Sequence, residues 1–396
     1  MALALAGCQG QSALSAGAAP TVEPAPALVA EASGATPAAT GVATATPPPT
    51  SSPTASATAT PAPTAAPTTT PTPTPNPAPK TVRLTTGGCC TQPYWSPDST
   101  QVRFIDKRGT GALTGIWGVP VAEPGTEPVL ISERVEESLA AGDYLVETTG
   151  NSTTIQRLSD SKRWTVPADG RSVLISPART KIAWVAVDND LLLEQQVAVV
   201  WVADLDGSGA RKVSTLRRGG LSGWISEDEL LVSGRESSGS REQVLSALSL
   251  NNGAMKELAR AERLRGPNLS PSGAWVAYYV TFAADPTQNG LWLARTDGSQ
   301  RRPISPELFG AYQWRPCPGG CSPEDERLLI VPFKPDAVFH ELWELDAATG
   351  EARQLTDPAI TPFKIANGDW RVSPDGRYVA FVESSDRNIW VIEPPS

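Results

Sequence analysis

The chain has 396 residues, 33 Lys and Arg against 42 Asp and Glu, 38 Pro and a single His. Its formal charge of −9 argues against a nucleic-acid partner, because phosphate binding depends on clustered basic charge. With His340 as the only histidine, multi-His metal sites and most imidazole-based acid–base schemes are excluded.

The first eight residues end in Leu5-Ala6-Gly7-Cys8, which resembles the bacterial lipobox, where a lipid joins the cysteine and the preceding peptide is removed. Residues 1–8 lack a basic n-region and most of an apolar h-region, as a truncated signal would. The plainer alternative is that Cys8 is an ordinary thiol. Residues 9–80 follow, built from Ala, Thr, Pro and Ser; sixteen prolines and no Lys or Arg precede Lys80. So few large apolar side chains cannot offset the entropy of ordering, and a disordered linker is expected. Proline biases it toward an extended form, reaching roughly 200 Å at about 3.1 Å per residue. No run of about 20 apolar residues occurs anywhere. The expected address is therefore extracytoplasmic, in the periplasm or at the cell surface, with membrane contact through the lipid alone.

Residues 81–396 hold all 12 tryptophans and repeat one pattern. An apolar or aromatic residue precedes Ser-Pro and a polar turn, and an apolar strand follows, as in Tyr94-Trp95-Ser96-Pro97-Asp98 and Val372-Ser373-Pro374-Asp375-Gly376. Proline fixes φ and Asp-Gly supplies turn residues, so each marks a tight hairpin. A third strand carries Trp117, Trp201, Trp292, Trp343 and Trp390, spaced by 84, 91, 51 and 47 residues. Two spacings near double the others imply two hidden repeats. Outer strands are expected at Leu84-Thr85, Ile131-Ser132, Trp164-Thr165, Val213-Ser214, Leu258-Ala259, Ile304-Ser305 and Leu355-Thr356. At about 45 residues per repeat the prediction is an all-β, seven-bladed propeller. Six blades is the alternative if the short segment Glu136 to Gly170, which lacks a Ser-Pro turn, is an insertion. The last repeat ends at Ile389-Trp390-Val391-Ile392 without an outer strand, so Thr81 to Thr86 is expected to close the ring.

Ser373-Pro374-Asp375-Gly376-Arg377-Tyr378-Val379-Ala380-Phe381, followed by Asn388-Ile389-Trp390-Val391, resembles the repeat of TolB-like β-propellers. Asp204-Leu205-Asp206-Gly207 before Ala210-Arg211-Lys212-Val213 fits the same repeat. The resemblance implies an extracytoplasmic interaction module. The family's functional residues form no fixed motif, so none is carried over.

Chemistry is sparse. Asp204-x-Asp206-Gly207 reads as a hairpin turn, because the twelfth position, where a calcium loop needs Glu, is Thr215. No Gly-x-Ser-x-Gly elbow occurs, and His340 reads as a solvated loop residue. Cys317 and Cys321 bracket a Gly-Gly loop and form a candidate disulfide, whereas Cys89-Cys90 could bridge each other or pair elsewhere. The four thiols lack zinc spacing, and nothing in the residues calls for a metal or cofactor. The longer loops are expected on one end of the ring, including 87–93, 215–222, 281–289, 331–340 and 357–368. Arg217 and Arg218 with Phe333, Phe339 and Phe363 form a candidate rim for a peptide or acidic group. Ordinary loop residues are the alternative. The expected function is a monomeric, non-catalytic module binding an envelope protein or peptide. The alternative is an envelope glycoside or polysaccharide hydrolase or lyase using paired carboxyl groups in the central cleft.

Overall fold

The computed structural model describes residues 79–88, 90–108, 113–188, 191–192, 195–307, 310–334 and 337–394. Cys8, most of the expected linker and Cys89 lie outside them. The described residues are all-β, in a β-propeller arrangement, with no helix long and apolar enough to cross a membrane.

In chain order, β1 (Lys80–Arg83) stands apart from the sheet that follows it, β2 (Thr91–Trp95), β3 (Gln101–Asp106), β4 (Gly115–Pro120) and β5 (Val129–Ser132). A short 3-10 turn, Val135–Leu139, leads into a three-stranded sheet: β6 (Tyr144–Thr149), β7 (Ser152–Arg157) and β8 (Arg163–Val166). Seven strands then share one curled sheet: β9 (Leu174–Ile175), β10 (Lys181–Val187), β11 (Val197–Asp204), β12 (Arg211–Ser226), β13 (Glu229–Arg235), β14 (Glu242–Ser249) and β15 (Met255–Glu262). Two four-stranded sheets follow: β16 (Leu264–Leu269), β17 (Trp275–Val280), β18 (Gly290–Arg295) and β19 (Arg301–Ser305); then β20 (Gly310–Trp314), β21 (Arg327–Pro332), β22 (Trp343–Asp346) and β23 (Ala352–Gln354). The last sheet is β24 (Ile365–Val372), β25 (Val379–Glu383) and β26 (Ile389–Glu393), completed by β1. Thr81, Val82 and Arg83 pair antiparallel with Ile392, Val391 and Trp390, so the two ends of the body are sewn into one sheet as expected.

The Ser-Pro repeat has a hydrogen-bonding cause. Ser96, Ser176, Ser270 and Ser373 are buried, and the Oγ of each accepts the backbone N–H five residues on, at Gln101, Lys181, Trp275 and Tyr378, over 2.9–3.0 Å. Proline then starts the turn with its fixed φ, and the serine satisfies a donor that the tight hairpin leaves over. At Asp204 to Gly207 the turn reading also holds: Gly207 N donates to Asp204 O at 2.8 Å, and Gly207 has φ 86°.

Three indoles tie successive strand sets together, Trp95 and Trp314 between neighbouring sheets and Trp224 within the curled seven-stranded sheet. Trp95, Trp224 and Trp314 each donate Nε1–H to a carbonyl on the preceding innermost strand, at Arg371, Leu174 and Asn268, over 3.0–3.1 Å. Elsewhere the contact is apolar. Phe104 and Val119 pack on Ala380 and Val391; Tyr144 and Ile155 pack on Ile182 and Trp184. Comparable clusters bridge β10–β12 to β13, β13–β15 to β16–β18, β16–β18 to β20–β22, and β20–β22 to β24–β26. At the joint of β2–β5 with β6–β8 the faces opposite those clusters bury Ile116 of β4 and Leu145 of β6, 2% and 1% exposed. Ion pairs gather there too: Arg134 reaches Glu136, Glu137 and Glu147 at 2.9–3.4 Å, and Arg163 reaches Glu147 at 3.7 Å.

One expectation is corrected. Residues 215–222 are not a loop but the middle of β12, which pairs with β11 up to Arg217↔Val197 and with β13 from Arg217↔Arg235 onward. The strand turns there because Arg218 takes φ 45° and Gly219 approaches its neighbour closely; a Cβ at Gly219 would lie 2.1 Å from Ser233 O. The short segment after Glu136 is a sheet in its own right, with the turn Val135–Leu139 and no regular strand between β5 and β6.

Candidate functional site

The sequence-derived rim splits into two groups. Phe333 and Phe363 flank His340, with ring centroids 5.2 and 6.4 Å away, and Phe363 packs edge-on against Phe381 at 4.9 Å. Phe363 is 0% exposed and belongs to the apolar core, so it offers no contact surface. This corrects its placement on the rim: a phenylalanine in a loop that crosses between sheets is drawn into the apolar space beneath. Phe339 is half-buried. His340 is likewise half-buried rather than solvated. Its Nδ1 accepts from Ile365 N at 3.2 Å, and burial, with Lys364 nearby, holds its pKa below the ordinary value. It is a neutral packing residue, not an acid or base poised in a cleft.

Arg217 and Arg218 lie elsewhere, on the crossing from β11's partner strand to the next innermost strand. Arg217 sits directly opposite Arg235 across the β12–β13 ladder. Arg263 and Arg265 occupy the next crossing, where Leu264 pairs with Val280, the last residue of β17. Arg241 precedes β14 at the same end. Arg217, Arg241, Arg263 and Arg265 are exposed and Arg218 is half-buried. Among the described residues none of these five has a carboxylate within ion-pair distance. Arg260 holds three nearby acids, Glu236, Glu242 and Glu257, at 2.5–3.8 Å. Sequence reasoning found Arg217 and Arg218 but missed Arg263 and Arg265, which fall together with them only once two crossings are placed at one end of the sheets.

Near the axis, Asp369 lies in the irregular stretch of β24 between Ile365 and Trp370. Burial pushes its carboxyl above the ordinary range, against the opposing pull of the Gln92 N–H, Arg371 and Arg387. It is the one carboxyl among the described residues held high. Cys317 and Cys321 have Cα atoms 5.5 Å apart, inside the span of a disulfide. Cys317 borders an open cavity of about 340 Å³ with Arg315, Asp325 and Arg327. The guanidiniums there are already engaged: Arg315 with Glu344 and Gly376 O, and Arg327 with Asp346 at 3.1 Å. Among the described residues no group of three His, Cys, Asp or Glu side chains is placed to hold a metal ion.

No family model matches the sequence, and no curated protein matches it. Among solved structures, an oligogalacturonate lyase in complex with manganese is similar at a TM-score of 0.51, with 12% identity, over 81% of this chain and 98% of the other. A second oligogalacturonate lyase, from Vibrio parahaemolyticus, reaches 0.48 at 10% identity over 80% and 97%. TolB from Acinetobacter baumannii reaches 0.38 at 13% identity over 73% and 78%. The likeness is one of fold alone.

Proposed function

We propose that this chain is a non-catalytic binding module of the cell envelope. In this reading it is a seven-bladed propeller, tethered outside the cytoplasm by a lipid on Cys8, that holds an acidic peptide or group at its loop-bearing end. The count of seven takes the 16-residue β12 as the outer strand of one blade and the innermost strand of the next. It takes β6–β8 as a blade whose innermost strand is replaced by the turn Val135–Leu139. The observation that carries the ligand reading is the unpaired arginine sector of Arg217, Arg218, Arg263 and Arg265 in a molecule of net charge −9. Guanidiniums left without carboxylates on an otherwise acidic protein favour an anionic partner in both affinity and approach. The enzymatic alternative requires facing carboxyl groups. The charged groups acting on Asp369 are Arg371 and Arg387, which supports binding over that chemistry.

The experiment is titration of a fluorescent oligoglutamate peptide at low salt, with Arg217→Glu and Arg265→Glu combined in the comparison variant. Binding should weaken at least about tenfold on charge reversal and fall with salt. Unaltered binding in the variant, or none in the parent, would remove the arginine sector as the ligand end. The address is tested separately. Behind a complete signal sequence the protein should partition into detergent, and Cys8→Ser should release it to the soluble fraction. Identical partitioning of the two forms rejects the lipid anchor.

A further inference from the structure

An outer strand presents a row of unpaired N–H and C=O groups, and Lys, Arg or Pro on it discourages another chain from pairing there. The outer strands β1, β8, β12, β15, β19 and β23 each obey this, carrying for example Lys80, Arg163, Lys212, Lys256, Arg301 and Arg353. β5 does not. It reads Val129-Leu130-Ile131-Ser132, and its three apolar side chains are 55, 46 and 39% exposed. It pairs with β4 alone. Glycines on β4 let it lie close: a Cβ at Gly115 would stand 2.7 Å from Leu130 Cδ1, and one at Gly118 3.1 Å from Ile131. The strand is therefore well seated on its inner side and open on its outer side. The neighbouring sheet β6–β8 leaves these three side chains uncovered.

The charges around β5 say what kind of segment it fits. Glu123, Glu127 and Glu133 flank it and are exposed. Among the described residues Glu123 and Glu133 have no ion pair, and Glu127 is met only by Arg108, at 3.1 Å. Arg134, next to Glu133 in the chain, is committed to Glu136, Glu137 and Glu147. We propose that β5 is a docking edge which takes an extended apolar segment of a partner protein, flanked by basic residues, as an added strand. Backbone hydrogen bonds would hold the segment, Val129 and Ile131 would meet its alternate side chains, and the flanking glutamates would set its position.

The probe is a short fluorescent peptide, Lys-Thr-Val-Thr-Val-Thr-Lys, titrated against the full-length protein and read by anisotropy. Saturable binding is expected. It should weaken at least about tenfold with Ile131→Lys, which places a charge on the edge, and likewise when the peptide's second valine is replaced by proline or its lysines by glutamates. Ile131 is exposed, so the variant should melt with the parent; Val129→Lys replaces it in the comparison if it does not. Absence of saturable binding overturns the proposal, as does binding indifferent to Ile131→Lys or to the proline. Concentration-dependent dimerisation in sedimentation, abolished by Ile131→Lys, would make a second copy the occupant and overturn it equally.

Discussion

His340 is the only side chain of this protein whose ordinary titration lies near pH 6.5, which makes its environment measurable without interference from other imidazoles. Burial against Phe333 and Phe363 and the charge of Lys364 both oppose protonation in the folded state. The unfolded chain accepts the proton first as pH falls below about 6.5. Stability is therefore full above that value and declines as pH falls toward the lower folded pKa. Denaturation midpoints measured between about pH 8 and pH 5.5 should fall for the parent and change less for His340→Gln, whose amide can still accept from Ile365 N. Equal slopes would mean that the imidazole is solvated after all. Other residues illustrate how uneven legibility is at this scale. The serines of the hairpins could be picked out from Ser-Pro spacing, because their partner is always five residues away. His340 could not, because the rings that bury it come from two separate loops.

Among the elements, β1 bears the clearest consequence. It supplies the edge of β24–β26, and Leu84 just beyond it is fully buried in the cluster with Trp95, Phe104 and Ile389. Val82 packs partly against the same cluster. Burial of two such side chains is worth roughly 3–6 kcal/mol at most, by transfer estimates. A chain starting at Lys80 should melt with the full-length protein, whereas one starting at Gly87 should melt at least about 5 °C lower and aggregate through the exposed edge of β26. Equal melting and solubility would show that the ring is not held through this strand. The Trp-bearing third strands and the closing strand were legible because each is a local run with its own alternation. β12 was not, since Arg217-Arg218-Gly219-Gly220 looks like a loop in isolation and becomes strand only by pairing on both sides.

For the molecule as a whole, the outer strand β5, beside the joint of β2–β5 with β6–β8, is the place to expect the first opening. Its three apolar side chains stay partly exposed, and the ion pairs beside it, around Arg134 and Glu147, are themselves partly exposed. Surface pairs of this kind contribute about 0–1 kcal/mol each. Hydrogen exchange should therefore run at least about tenfold faster in β5 than in β16–β18, where Val276, Tyr278 and Leu291 are fully buried. Uniform protection around the ring would contradict this. Raised salt should widen the difference, by screening the pairs without weakening the apolar contacts.

The all-β class, the Ser-Pro hairpins, the third-strand tryptophans and the closing strand followed from the sequence by itself, because each depends on spacing within some fifty residues or on alternation within a strand. Tertiary structure alone decided that Phe363 is core, that Arg217 and Arg265 lie at one end with no ion-pair partner among the described residues, and that β5 is left open on its outer side. Those facts depend on which surfaces meet across sheets. A linear pattern records the apolar and charged character of each strand but not the neighbour that covers it, and burial and ion pairing belong to that neighbour as much as to the residue.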